Sequence, residues 1–278
     1  MIQTAVRISS DGSETGALLQ TYLQSRGVYN GRGPGMVCYG LSTDRRPALN
    51  AACQSDKITR MRRMAAAGVN LVPWAIGLEA ERLQLPLYAR RSRGMGGKDL
   101  QPVFQIEEIP WRIAAGWDWF SSVVPIGREL RVWVWRGEVL DTYEKVMDRP
   151  AEYKAMGRNF GQGFEFRPTG NVRAASGEAI TAAAALGLDF TAIDLIIGKD
   201  GIAYVLECNT CPGVIRSGAQ VTLGKLADRI ATWCEQDCPS YFADGSGGSS
   251  AAHLRFRRLG QLRSVDPLKI AKLLKGKR

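Results

Sequence analysis

The sequence predicts an α/β protein of the α+β kind, built from a small β-α-β lobe followed by larger lobes that contain hairpins. A chain of 278 residues with 45% hydrophobic residues can bury a large core, and it suggests two or three lobes. The first part of the chain alternates strand, helix and strand, at 4–8, 16–25 and 36–39. Two later stretches, 128–140 and 194–209, read as paired strands around short turns.

The composition excludes several classes of protein. The single histidine, His253, argues against a histidine-dependent triad or a multi-histidine metal site. Six cysteines in a chain of this length are too few for a disulfide scaffold, so a reducing compartment is expected. No apolar run is long enough to span a bilayer, and the N-terminus lacks a signal-peptide core. We therefore expect a cytoplasmic protein.

The positive charge is concentrated at the C-terminal end. The net charge is +10, and residues 251–278 hold nine Lys/Arg against one acidic residue, so eight of the ten charges lie there. A Gly/Ser-rich linker, 242–250, precedes this tail. A basic amphipathic tail could bind nucleic acid, an anionic surface or an acidic partner, or it could be a solubilising segment.

The N-terminal β-α-β pattern suits a small Rossmann-like lobe. Its loop glycines, within 31–35, do not form a GxGxxG fingerprint, so no dinucleotide site is expected there. After this lobe, Ser55 or Asp56 can cap a helix that Gly68 ends. Its basic side is either solvated or functional.

A strand at 85–90 leads into a loop suited to phosphate. The strand delivers Arg90 and then Arg91, and cations of this kind can neutralise phosphate charge. Glycines in the following loop would let backbone amides close over phosphates without interference from Cβ atoms. The loop glycines in question are Gly94, Gly96 and Gly97. The alternative is an ordinary surface loop.

The stretch 128–147 predicts a hairpin that carries cations on both strands. Its alternation and the turn residues Arg136-Gly137 indicate the hairpin, with Arg131 on the first strand and Lys145 on the return strand. Tryptophans are dense between 111 and 135; they could stack on bases, but strand-core packing is favoured. A hairpin whose charges are simply solvated is the alternative.

The hairpin 194–209 predicts a metal site. With Asp200-Gly201 at the centre of a two-residue turn, Asp194 faces Glu207, and Asn209 points to the same side. Carboxylates directly opposed across a ladder repel each other, and a divalent cation would remove the conflict. Oxygen ligands suit magnesium or manganese. The same count pairs Leu195 with Leu206 and sends four residues to the core: Leu195, Ile197, Leu206 and Cys208.

The same region allows two other interpretations. The polar sheet face could be solvated and hold no ligand. Cys208 and Cys211 have CxxC spacing and are followed by Cys234 and Cys238, which makes a four-cysteine zinc site conceivable.

Together these motifs resemble the ATP-grasp superfamily. Asp194, Glu207 and Asn209, followed by Pro212-Gly213, resemble its metal-binding end, where such residues hold the magnesium ions that bridge the ATP phosphates. The resemblance also implies phosphate contacts from Lys57 and from the 90–97 segment, where an arginine stands at the position of the expected lysine. It implies adenine binding by backbone groups near Val124.

The resemblance further implies an activity. Arg131 matches an arginine that faces the reacting phosphate or carboxylate, and Lys145 is a second candidate. The expected reaction is ATP-dependent joining of a carboxylate to an amine through an acyl phosphate, with a small-molecule kinase or a non-catalytic binding protein as alternatives. Ala192 replaces the arginine of D-Ala-D-Ala ligases, so that activity is disfavoured. The layout is most similar to that of short phage and bacterial ATP-grasp proteins, and more distantly to that of ribosomal-protein glutamate ligase and glutathione synthetase. If the protein is encoded by a phage, it would act in the host cytoplasm.

The expected organisation has a Rossmann-like lobe, two α+β lobes that sandwich the nucleotide, a linker and a tail. The first α+β lobe would carry the glycine-rich lid and the second the metal site. The predicted segments are 1–54, 55–118, 119–241, 242–250 and 251–278.

Overall fold

The computed structural model describes residues 6–10, 13–29, 35–40, 48–52, 56–92, 100–147, 164–214 and 218–236. Several predictions therefore fall outside the described residues, namely the phosphate-loop glycines Gly94, Gly96 and Gly97, most of the irregular 148–170 stretch, Cys238, the linker and the basic tail. Within the described part of the chain, no helix is long and apolar enough to cross a membrane.

The N-terminal lobe is the predicted β-α-β unit. Strands β1 (Val6–Ser10), β2 (Gly35–Tyr39) and β3 (Ala48–Leu49) form a parallel sheet in that order, and helix α1 (Glu14–Ser25) connects the first two. The Ser13 hydroxyl accepts a hydrogen bond from the Gly16 amide at 3.1 Å and so caps α1. Leu19 and Leu23 of α1 are fully buried.

A four-stranded antiparallel sheet forms the second layer. Its strands are β4 (Trp74–Ile76), β5 (Leu87–Arg90), β6 (Leu100–Val103) and β7 (Trp119–Ser122), in the order β4-β7-β5-β6. A 3-10 helix (Gly77–Arg82) and α3 (Glu108–Ala114) cover one face around Leu87, Ala89 and Phe120. β5 and β6 are antiparallel neighbours. In the sequence, the glycine-rich segment lies between them and comes shortly after Arg90.

A five-stranded antiparallel sheet forms the centre of the molecule. Its order is β10-β9-β8-β11-β12, with β8 (Ile126–Trp135), β9 (Glu138–Met147), β10 (Phe164–Thr169), β11 (Phe190–Gly198) and β12 (Ala203–Asn209). The predicted β8–β9 turn is present, with Arg136 and Gly137 both at positive φ, as a type I′ turn requires. The change from the four-stranded to the five-stranded sheet falls between Ser122 and Ile126.

Three helices cover this central sheet. Helix α2 (Lys57–Ala66), capped by Asp56, and α4 (Arg173–Leu186) pack on one face, which includes Leu130, Val132 and Ile193. Helix α5 (Gln220–Gln236) packs with α1 on the other face, around Trp133 and Phe190.

The tryptophans between 111 and 135 follow the prediction with one exception. Trp117, Trp119, Trp133 and Trp135 are buried, whereas Trp111 on α3 is 78% exposed. Because these four indoles are buried, they are unavailable as a platform for stacked bases.

Candidate active site

The predicted pairing of Asp194 with Glu207 is present, but the hairpin reaches it by a different route. The Gly198 amide donates to the Ile202 carbonyl at 2.8 Å, so the loop has three residues rather than two. Gly201 takes the left-handed conformation, φ +79°, that such loops need at their third position. This loop shifts the register by one residue, and Leu195 pairs with Val205.

A β-bulge then restores the register. It lies between the Asp194 and Leu195 pairings and leaves Leu206 as the extra residue. The predicted pairing of Leu195 with Leu206 is therefore wrong. Val205 is fully buried in the core, whereas Leu206, predicted to be a core residue, is only partly buried. Beyond the bulge, the carboxylates return to opposed positions.

Asp194 has a partner that the sequence analysis did not assign. Arg131 is its directly opposed residue on β8, and the guanidinium forms a two-point ion pair with the carboxylate. Nε lies 2.6 Å from Oδ1 and Nη2 lies 2.7 Å from Oδ2. The Asn209 amide donates to Oδ2 at 3.1 Å. The repulsion that the sequence predicted at Asp194 is thus compensated by an internal cation.

This ion pair lies largely out of solvent, with side-chain exposures of 14% for Arg131 and 8% for Asp194. Burial acts to raise the pKa of Asp194, but the Arg131 charge and its hydrogen bonds outweigh that effect and hold the pKa below its usual value. Burial likewise acts to lower the pKa of Arg131, but the negative charge of Asp194 outweighs the effect of burial. The pKa of Arg131 is therefore raised above its usual value. Both side chains are therefore charged near neutral pH.

A second buried ion pair lies beside the first on the same sheet face. Lys145 on β9 donates to the Glu129 carboxylate on β8, and both side chains are less than 10% exposed. The Phe166 ring on β10 lies over both cations, 4.6 Å from the Arg131 guanidinium carbon and 5.4 Å from the Lys145 nitrogen. Glu129 and Phe166 were not among the predicted site residues. Glu129 could have been found because it lies two residues before Arg131 and so shares its face.

Arg90 approaches this face from the four-stranded sheet. Its Nε donates to the Ser121 hydroxyl at 3.0 Å, and its guanidinium lies 4.9 Å from the centre of the Trp119 ring. Burial lowers the pKa of Arg90, while the negative charge of Glu207 acts in the opposite direction. Arg90 is therefore within electrostatic reach of Glu207, one of the predicted metal ligands.

Arg91 points the other way. Its guanidinium lies 4.7 Å from the centre of the Trp117 ring and donates to the Ala115 carbonyl at 3.2 Å, on the α3 side of the sheet. The structure thus separates the two arginines that the sequence grouped together. The next residue, Ser92, is anchored because its amide donates to Asp118 at 2.8 Å.

We call the polar sheet face with Arg131, Lys145, Asp194 and Glu207, together with Arg90, the cleft; the remaining predicted residues lie on neighbouring elements. Lys57 is the first residue of α2, and Arg60, one turn later, donates to the Cys208 carbonyl at 2.9 Å, which holds the start of the helix beside the end of β12. Val124 lies in the connection between the two sheets. That connection is fixed because the Val123 amide donates to the Pro86 carbonyl at 3.0 Å.

The oxygen donors fit magnesium better than zinc. Asp194 and Glu207 are opposed in register and the Asn209 amide adjoins Asp194, a set typical of a cation that keeps water or phosphate ligands. Among the described residues, no three or more His, Cys, Asp or Glu side chains are grouped so that they could hold a metal ion by themselves, and the proposed magnesium set has two carboxylates and an amide. Cys208 is buried against the Thr191 hydroxyl, and burial raises the pKa of its thiol to about 12. A thiol of that kind is a poor zinc ligand, because zinc binds the thiolate.

Comparison with known proteins identifies the fold. No family model and no curated protein matches the chain. Among solved structures, the ATP-grasp ligase PsnB in complex with a phosphomimetic variant of its minimal precursor, Mg and ADP has a TM-score of 0.64 at 12% identity, over 84% of this chain and 99% of that one. The D-cycloserine synthetase DcsG gives 0.58 at 17% identity, over 81% and 99%.

A RimK-domain ATP-grasp protein from Sphaerobacter thermophilus DSM 20745 gives a TM-score of 0.57 at 17% identity, over 81% of this chain and 98% of that one. The chain therefore has the ATP-grasp fold, and the predicted fold class is confirmed. The identities are low, so these similarities establish the fold and leave the activity to be argued from the site.

Proposed function

We propose that the protein is an ATP-dependent ligase that joins a carboxylate to an amine through an acyl phosphate. The observation that carries this proposal is a balanced set of charges on one cleft. Three carboxylates, from Glu129, Asp194 and Glu207, face three cations, from Arg90, Arg131 and Lys145. A site of this kind can accept metal ions and phosphates together, because neither sign of charge is in excess.

Each group has a role in the proposed reaction. Asp194, Glu207 and Asn209 would hold magnesium, which when bound would neutralise the transferring phosphoryl group. Arg90 would hold the ATP phosphates together with Lys57 and the glycine-rich segment. Arg131 and Lys145 would bind the oxygens of the substrate carboxylate, since both are buried cations that can donate charged hydrogen bonds. The adenine would lie at the connection that contains Val124.

The bonds made and broken follow from this arrangement. A carboxylate oxygen of the substrate forms a bond to the terminal phosphorus of ATP, and ADP leaves. The amine nitrogen then bonds to the acyl carbon, inorganic phosphate leaves, and the amine loses a proton. Catalysis of both steps depends on positioning and on neutralising the phosphate charge, which the three cations of the cleft can supply.

The solved structures suggest which substrates to test first. PsnB is described with a precursor peptide, and a second similar ATP-grasp ligase, from Chryseobacterium gregarium, with a leader and a core peptide, whereas DcsG is a D-cycloserine synthetase. A first screen should therefore contain both acidic peptides and small amino acids. Their amines and carboxylates are the reactive groups that the cleft would accept.

The experiment is mass spectrometry of the products formed when the protein is incubated with MgATP and this mixture. The proposal predicts a product lighter than the combined substrates by one water molecule, formed together with ADP. Asp194→Asn should abolish it. Arg128→Gln is a suitable control, because Arg128 pairs with Glu144 on the opposite face of β8, outside the cleft. A product heavier than one substrate by a phosphoryl group would instead indicate a kinase.

A further inference from the structure

Arg131 and the proposed metal ion require the same carboxylate. The guanidinium contacts both oxygens of Asp194, and Asn209, another proposed ligand, donates to one of them. A divalent ion bound to Asp194 would therefore lie within a few ångströms of a buried guanidinium. Two cations at that separation repel each other strongly in a site with little water.

The surroundings of Arg131 limit where its guanidinium can move if it leaves Asp194. Its backbone position is fixed in the centre of the sheet, between β9 and β11. Phe166 covers the guanidinium from the β10 side. The nearest other carboxylate on its strand, Glu129, is already paired with Lys145. Glu207 also acts on the Arg131 charge, but it is itself a proposed metal ligand, so in the loaded site an anionic substrate is the available partner for a guanidinium that leaves Asp194.

We propose that Arg131 is an exchangeable counter-ion of Asp194: metal binding displaces the guanidinium, which then takes the anionic oxygens of the acceptor substrate. This rests on the proposed function for the identity of the metal and the substrate. In the metal-free protein, Arg131 neutralises Asp194 and keeps the site folded. In the loaded protein, the metal replaces it, and the same side chain becomes available for the substrate carboxylate.

The exchange has a consequence for the order of binding. The acceptor carboxylate meets a free guanidinium only after the metal has bound with the nucleotide. Binding of metal and of carboxylate are then positively coupled, and the coupling must be reciprocal. A metal-free site would hold a carboxylate poorly, because Arg131 is already satisfied by Asp194.

The first test measures metal affinity in the absence of acceptor substrate. Manganese binding in the presence of ADP is measured by titration calorimetry on the wild type, Arg131→Gln and Arg128→Gln. Because Arg131→Gln lacks the competing cation, this variant should bind manganese at least about fivefold more tightly than the wild type does. Arg128→Gln removes another two-point ion pair, a more exposed one with Glu144 on the opposite face, and should leave the affinity unchanged.

The opposite sign would overturn the inference. If Arg131→Gln binds manganese equally well or more weakly, Arg131 orients the carboxylate rather than competing for it. If the wild type itself does not bind manganese with ADP, the proposed function fails instead, so the two failures are distinguishable.

A second measurement uses the wild-type protein, because Arg131→Gln could be too unstable to study. The Arg131 Nε–H signal can be followed by nitrogen-15 NMR and assigned by its loss in Arg131→Lys. It should exchange slowly in the metal-free protein, where Nε donates to Asp194, and should shift and exchange faster when magnesium and ADP are added. The Arg128 Nε–H signal should stay constant. An Arg131 signal that is unchanged at saturating magnesium and ADP would contradict the exchange.

Discussion

Arg131 and Asp194 face each other across β8 and β11 and are joined by two short hydrogen bonds, at 2.6 and 2.7 Å. The repulsion between Asp194 and Glu207 that the sequence predicts would by itself make the removal of one carboxylate slightly stabilising in metal-free buffer. The ion pair reverses that expectation. Neutralising Asp194 would leave a buried guanidinium without its counter-charge.

The first prediction is therefore that Asp194→Asn lowers the free energy of unfolding. In metal-free buffer near neutral pH, we expect a loss of about 2 kcal/mol, in the range of a charge-assisted hydrogen bond pair. Urea unfolding measures it. A variant as stable as the wild type, or more stable, would show that the ion pair contributes nothing to the fold.

The second prediction concerns pH. Because the folded-state pKa of Asp194 is lower than its unfolded value, the pair stabilises the fold above the unfolded pKa, roughly 4, and this contribution is lost as the pH falls through the folded pKa. The stability gap between wild type and Asp194→Asn should be constant from about pH 7 to 5 and should narrow below about pH 4. Urea unfolding across this range tests it, and a gap that narrows above pH 5 would contradict the assignment.

A contact in this site could be predicted from the sequence when its two residues lie close together along the chain. The opposition of Asp194 and Glu207 was predicted correctly, although two departures cancelled: a three-residue loop that shifts the register, and a bulge at Leu206 that shifts it back. Nothing in the local sequence marks Leu206 as the extra residue, because a bulge there depends on the whole ladder.

The partner of Asp194 could not be predicted in the same way. Arg131 is 63 residues away in the chain, and the contact exists because β8 lies between β9 and β11, a strand order that local patterns do not specify. The N-terminal β-α-β unit, the β8–β9 hairpin and the cap of α2 could be predicted because they depend on short-range patterns. Phe166 was missed because its role depends on the placement of β10 at the sheet edge.

The third prediction separates the two adjacent arginines. Arg90→Ala should weaken binding of MgATP by about 1.5–3 kcal/mol, the value of a charged hydrogen bond. Arg91→Ala should have little effect, because Arg91 lies over Trp117 on the far side of the sheet. Arg90→Lys should recover part of the loss. Calorimetry on the three variants is the measurement. If Arg91→Ala weakens MgATP binding and Arg90→Ala does not, then Arg91 rather than Arg90 contacts the phosphates.

The fourth prediction concerns a contact between lobes. The Asn50 side chain brackets Phe190, donating to its carbonyl at 2.7 Å and accepting from its amide at 2.9 Å, and the Asn50 amide donates to Asp189. The Asn50 side chain, Phe190 and Asp189 are buried, so Asn50→Gly leaves two backbone groups unsatisfied, while glycine tolerates the left-handed conformation of this position, φ +59°. We expect a loss of about 2–4 kcal/mol of stability. Thr21→Ala on the exposed face of α1 is the control. If both variants lose the same stability in thermal unfolding, the hydrogen bonds of Asn50 to Phe190 do not stabilise the fold as proposed.

The fifth prediction concerns the tail, for which the sequence is the only guide. Every proposed site residue precedes residue 215, and in the sequence the predicted linker 242–250 lies between these residues and the basic segment. Truncation after Ser250 should leave MgADP affinity and turnover unchanged, while any salt-sensitive binding to nucleic acid or anionic surfaces should disappear. A truncated protein that binds MgADP normally but no longer turns over would show that the tail contributes to the active site.

The most direct test of the central claim follows the oxygen atoms. Acidic peptides and amino acids labelled with oxygen-18 in their carboxyl groups are incubated with the protein, an amine mixture and MgATP, and the released phosphate is examined by phosphorus-31 NMR. An acyl phosphate transfers one labelled carboxyl oxygen to each phosphate released, so we predict phosphate that carries a single oxygen-18. Phosphate that carries no label while a product accumulates would contradict the ligase mechanism.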